Sequence, residues 1–132
     1  MAGLGDFPAA AVLKADDLAR AKRFYIEVLG LKEMAGYSSD DMLFLTAGDG
    51  TMIEIYGRPG MPAPQNTTLG FGIPADQFDA VVAELRGKGV VFEDYDLPEM
   101  GLKTVNGVAE MGDNKAAWFK DTEANIINIE TM

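Results

Sequence analysis

The chain has 132 residues, 48% of them hydrophobic, and a formal charge of −10; that length builds one domain and leaves no room for two independent cores. An acidic field without any run of Lys and Arg excludes nucleic-acid and anionic-membrane partners. With no Cys and no His, disulfides, thiolate nucleophiles and the usual base of a serine or cysteine triad are excluded, so chemistry must come from Asp, Glu, Lys, Tyr or a cofactor.

From the start, "MAGLGDFPAA" offers neither a basic opening nor the apolar core of a signal peptide, and no apolar run approaches the roughly 20 residues of a membrane span. A soluble cytoplasmic protein is expected. The stretch 9–15, "AAAVLKA", reads as a strand. "DDLARAKRFYIEVLG" then spaces Leu18, Ala21, Tyr25 and Val28 as one helical face, with Asp16 or Asp17 as N-cap and Gly30 as the stop. Strand-like runs follow at 32–37, 42–47 and 51–56, the last two joined by "AGDG", where Asp49 and Gly50 signal a hairpin turn. The prolines and glycines of "GRPGMPAPQN" (57–66) mark a linker within the domain.

Beyond the linker the order repeats, with a strand at 67–73 and a helix in "DQFDAVVAELRGKG" that turns Phe78, Val81, Val82 and Leu85 inward. Asp17 matches Gln77 at a separation of 60, and Phe44 matches Trp118 at 74, which sets Ile53-Glu54-Ile55 against Ile127-Asn128-Ile129. The single domain thus holds module one (about 7–56), the linker and module two (about 67–132), as two half-sheets closing on each other. The extra length of the second copy, 94–114, reads as a polar excursion with an Asn106-Gly107 turn, a candidate lid or rim.

Strand alternation divides each half into two faces. Ile53, Ile55, Ile127 and Ile129 point toward the helices, as do Leu13, Leu69, Phe71 and Ile73. The opposite face carries Met52, Glu54 and Tyr56, then Ile126, Asn128 and Glu130, with Ala10, Val12 and Lys14 and with Thr68, Gly70 and Gly72 from the opening strands. Such small, mixed residues suit a cavity wall, and strand glycines accompany close approach of a ligand or backbone. Lys14 is read as a solvated charge.

"DLARAKRFYIEVLGL" after a first strand, "DQFDAVVAELRGKGV" after a second, and the closing "AAWFKDTEANIINIE" resemble the vicinal oxygen chelate superfamily, which includes glyoxalase I, extradiol dioxygenases, fosfomycin-resistance enzymes and bleomycin-resistance proteins. The resemblance covers nearly the whole chain. It implies an α+β fold of two tandem βαβββ modules, an eight-stranded curled sheet around a cleft with helices on the outer face, commonly in a homodimer. In metal-dependent relatives the ion is held by the first and last strands of each module, positions that fall here on Ala10, Glu54, Thr68 and Asn128. Only Glu54 is an ordinary ligand, so neither metal nor other cofactor is expected. The final turn departs from the family's Asp-Pro-Asp-Gly-Asn, having Asp121, Thr122, Glu123, Ala124 and Asn125; a positive φ at Ala124 would cost about 1 kcal/mol relative to glycine.

Two functions follow as expectations. One is a metal-free protein of the bleomycin-resistance type, with a small organic molecule in the cleft between modules. Met52, Tyr56, Ile126 and Trp118 or Phe119 would supply apolar contact, Glu54, Thr68 and Asn128 orientation, and the acidic field a preference for a cation. The other is an enzyme of the same superfamily, an isomerase, lyase or dioxygenase-like member, with Glu54 as general base or residual metal ligand. A dimeric interaction scaffold ranks behind both.

Overall fold

In the first unit, strand β1 (Ala10–Ala15) leads into helix α1 (Leu18–Arg23). Asp17 is the cap, its carboxylate accepting from the Arg20 N–H at 3.1 Å. Asp16 serves a different purpose, accepting from the Gly60 N–H at 3.0 Å. The helix continues as a π-helical turn (Phe24–Val28) and stops at Gly30, whose φ of 79° only glycine adopts without strain. Of the expected inward face, Ala21 and Tyr25 are buried while Leu18 and Val28 are partly so. The chain is a computed structural model that describes residues 3–132, and it divides into two compact units between Pro62 and Ala63.

Three strands complete this unit: β2 (Lys32–Glu33), β3 (Met42–Ala47) and β4 (Thr51–Gly57). β2 is shorter than the run 32–37, because the chain turns at Met34, where the Tyr37 N–H donates to the Met34 carbonyl. The four strands lie in the order β1-β4-β3-β2, with β1 parallel to β4 and the rest antiparallel. α1 packs on β3 and β4. Leu43, Leu45, Ile53 and Ile55 are at most 2% exposed, and each such burial contributes roughly 1.5–3 kcal/mol.

The second unit opens with β5 (Thr67–Ile73), then a 3₁₀ turn (Ala75–Gln77) and α2 (Phe78–Gly87), which buries Phe78, Val82 and Leu85. Five strands follow: β6 (Asp96–Leu97), β7 (Leu102–Val105), β8 (Val108–Met111), β9 (Asn114–Lys120) and β10 (Ile126–Thr131). Their order is β5-β10-β9-β8-β7-β6, with β5 parallel to β10. The described residues therefore form ten strands in sheets of four and six, where eight were expected. The difference lies in 94–114, read as an excursion and here built into the sheet. Asn106 and Gly107 both take positive φ, 52° and 81°, the geometry of a tight hairpin turn, so β7 and β8 pair immediately around it. Asp94 secures the turn of that hairpin by accepting from the Thr104 hydroxyl at 2.7 Å and the Gly107 N–H at 2.8 Å. These bonds, with the nearby Arg86 guanidinium, hold the Asp94 carboxyl below its ordinary value against the opposing effect of burial.

Candidate functional site

On β4 the predicted residues Met52, Glu54 and Tyr56 share the face opposite the buried isoleucines, and all three are partly buried. Their neighbours follow from register: Ala10, Val12 and Lys14 on β1, then Thr46, Phe44 and Met42 on β3. Glu54 thus lies between Val12 and Phe44, two apolar side chains, in a row that supplies no donor. Among the described residues no hydrogen bond or ion pair reaches its carboxylate. Arg58 stands over the Tyr56 ring at 5.8 Å. Lys14 is not the solvated charge expected, for its side chain is 12% exposed and its ammonium lies 3.8 Å from the Asp16 carboxylate.

In the second unit the sheet brings Thr68, Asn128 and Trp118 together. Asn128 on β10 pairs with Gly70 on one side and Trp118 on the other. Register shifts between Ile126 and Ile127, and the Thr68 hydroxyl donates to the Ile126 carbonyl at 3.1 Å, satisfying the backbone where the ladder is irregular. The two glycines have occupants from this chain rather than a ligand. A Cβ at Gly70 would collide with the Asn128 side-chain oxygen, with Cγ at 3.5 Å, and one at Gly72 would collide with the Met132 sulfur. The glycines exist so that these side chains can lie across β5.

The choice between the two aromatics of β9 is decided by register. Phe119 pairs with the buried Ile127, is 1% exposed and meets Phe92 edge to face at 5.6 Å. Trp118 takes the other face beside Asn128 and is partly buried. Two further residues join it that sequence reading passed over, Glu93 and Tyr95. The Glu93 N–H donates to the Trp118 carbonyl at 2.8 Å, the Tyr95 and Trp118 rings meet at 5.8 Å and 81°, and the Tyr95 hydroxyl donates to the Glu93 carboxylate at 2.8 Å. Burial first, and then the Glu93 carboxylate, push the Tyr95 phenol up to about 12. The signal was the alternation in "FEDY", where a core Phe92 sends Glu93 and Tyr95 to the other side.

The closing turn is built from buried polar groups. Asp121, Glu123 and Asn125 are 7%, 2% and 1% exposed. One Asp121 oxygen accepts from the Glu123 and Asn125 N–H groups and the other from the Asn125 amide, each at 2.8 Å. Ala124 takes the positive φ, 68°. This turn sets the register of β9 against β10, and so the pairing of Trp118 with Asn128.

The resemblance puts the metal ligands of its metal-dependent members at four positions, two in each unit. Ala10 has no donor atom, the Thr68 hydroxyl is engaged with the backbone, Asn128 offers a neutral amide, and Glu54 is the one carboxylate. Among the described residues no group of three or more Asp, Glu, His or Cys is placed to hold an ion.

A family model described as Glyoxalase/Bleomycin resistance protein/Dioxygenase superfamily matches residues 9–127. Among solved structures, a glyoxalase/dioxygenase from Nostoc punctiforme is similar with a TM-score of 0.70 at 16% identity, over 99% of this chain and 95% of that one. The fosfomycin resistance protein FosX from Listeria monocytogenes, complexed with Mn(II) and sulfate, gives 0.69 at 16% identity over 95% and 89%. FosX from Mesorhizobium loti gives 0.67 at 16% over 96% and 92%. At these identities the likeness is one of fold. No curated protein matches the sequence significantly.

Proposed function

The chain belongs to the glyoxalase/bleomycin resistance protein/dioxygenase superfamily, and from that membership we propose that it is a small-molecule-binding protein that works without a bound metal. The observation that carries the reading is Glu54, a carboxylate with no partner among the described residues, set between Val12 and Phe44 and flanked along its strand by Met52 and Tyr56. A carboxylate without a protein partner among the described residues, beside an exposed Val12 and a partly buried Phe44, is available to a polar ligand group. Within the second unit, Thr68, Trp118 and Asn128 are proposed as ligand contacts in their own right. The FosX neighbours are resistance proteins, which makes antibiotics the first ligands to try. An organic ligand with a cationic group suits a chain of net charge −10. The protein is proposed to act as a homodimer, as its superfamily resemblance implies, and in the cytoplasm, as the sequence reading expects.

The test is an equilibrium-binding survey of the purified protein against cationic and polycyclic antibiotics by calorimetry. Binding weakened by Glu54→Gln supports the reading; no binding across a broad panel rejects it. Metal analysis of the same preparation addresses the second half, since a stoichiometric, tightly held transition metal overturns it.

Enzymatic proton abstraction by Glu54 is the second reading, favoured by the same unpartnered carboxylate, which is free to accept a proton. It differs in outcome. Glu54→Gln would then abolish turnover while leaving ligand affinity within a few-fold.

A further inference from the structure

We propose that the corner formed by Trp118, Tyr95 and Glu93 in the second unit is a subsite for an alkylammonium group, which makes an organic cation the ligand class; this rests on the small-molecule-binding reading above. The two rings stand nearly perpendicular, at 81° with centroids 5.8 Å apart, and so bound two sides of a corner. Aromatic walls attract a weakly hydrated cation through the negative ring face and offer nothing comparable to an anion. Glu93 supplies the charge. One of its oxygens is fixed by the Tyr95 hydroxyl at 2.8 Å, a bond that also places partial negative charge on the phenol. The other lies 3.9 Å from the Lys120 ammonium, at the outer limit of an ion pair, with side chains 30% and 53% exposed. Such a pair holds little free energy, so a ligand ammonium can take the place of Lys120 against Glu93.

The rest of this face suits the same ligand. Asn128 pairs with Trp118 across the sheet, and Glu130 adds a second carboxylate further along β10. A metal ion is a poor fit, because two aromatic rings and one carboxylate cannot replace its inner-shell water, whereas a quaternary ammonium has none to lose.

Trp118 is the single tryptophan of the chain, so its fluorescence reports the corner directly. Choline is the probe and 3,3-dimethylbutan-1-ol, its uncharged isostere, the control, both titrated into the intact protein. Choline should change the emission saturably, and the isostere should bind about ten-fold more weakly. Glu93→Gln should weaken choline by about five- to ten-fold and leave the isostere unaltered, while Lys120→Ala, which removes the competing ammonium, should tighten choline. The Lys120 variant carries the test if Glu93→Gln disturbs the circular dichroism spectrum. Equal binding of choline and its isostere, or no tightening in Lys120→Ala, overturns the subsite while leaving a small-molecule role intact. A panel ligand that binds by calorimetry without altering Trp118 emission does the same. The failure of every ligand in the panel, by either method, overturns the binding function itself.

Discussion

Replacing Ala124 with glycine should stabilise the protein. Ala124 occupies a φ of 68° in the turn joining β9 to β10, where its Cβ crowds the carbonyl oxygen; for an L-residue this conformation costs about 1–2 kcal/mol. The turn imposes the angle, because Asp121 accepts from the N–H groups of both Glu123 and Asn125 at 2.8 Å, and the Asp121 N–H donates back to the Asn125 carbonyl at 3.0 Å. None of these bonds uses the alanine side chain. Glycine removes the crowding but gives the unfolded chain more freedom, which returns about 0.4–1 kcal/mol, and loss of a partly buried methyl returns a few tenths more. The net expectation is about 0.5 kcal/mol of added stability. Urea denaturation followed by circular dichroism measures it. With a slope of about 1–3 kcal/mol per molar, the midpoint should rise by roughly 0.2–0.5 M at unchanged slope. A midpoint that is unchanged or lower at the same slope would refute the argument, since it would mean that the turn does not force Ala124 into a strained angle.

Gly70→Ala should drive the Asn128 amide out of its place, because the new methyl meets the amide oxygen head-on; overpacking of this kind costs about 1–3 kcal/mol. The Asn128 side-chain NH₂ resonances should move in an ¹⁵N-correlation spectrum, and unaltered resonances would show that the glycine is not there to admit the amide. Tyr95 should titrate late. The absorbance at 295 nm, taken as wild type minus Tyr95→Phe, should show a midpoint near pH 12, and Glu93→Gln should lower it by removing the carboxylate while leaving the burial. The folded chain holds this proton more tightly than the unfolded chain, whose ordinary value is 10. The stability so gained is therefore complete below pH 10 and is lost as pH rises through 12. Wild type should lose more stability than Tyr95→Phe over that interval.

Local periodicity was enough to read much of the fold. A strand turns successive side chains to opposite faces whatever surrounds it, so "TMIEIY" and "IINIE" already put Ile53, Ile55, Ile127 and Ile129 in the core and Glu54 and Asn128 on the other side. The repeat at a separation of 74 marked those two strands as equivalent positions of the two copies, and each does close its own unit's parallel pair, β4 with β1 and β10 with β5. The strained Ala124 was legible through the resemblance alone, because it stands where the family's turn has a glycine.

Contacts distant in sequence were not legible, since no local rule specifies them. The role of Gly70 depends on an Asn 58 positions later, and that of Gly72 on Met132. "DYDLPEMGLKTVNGV" is polar enough to be a loop, and only pairing to neighbouring strands, with Asp94 tying the Asn106-Gly107 turn in place, turns it into the edge of a six-stranded sheet. Burial of Asp121, Glu123 and Asn125 was equally hidden, because polar side chains enter a core only when their hydrogen bonds are met by particular partners. Trp118 and Phe119 are adjacent aromatics that composition cannot tell apart. Register against β10 sends one to the core and the other to the face it shares with Asn128, Tyr95 and Glu93, and register is a property of two strands at once.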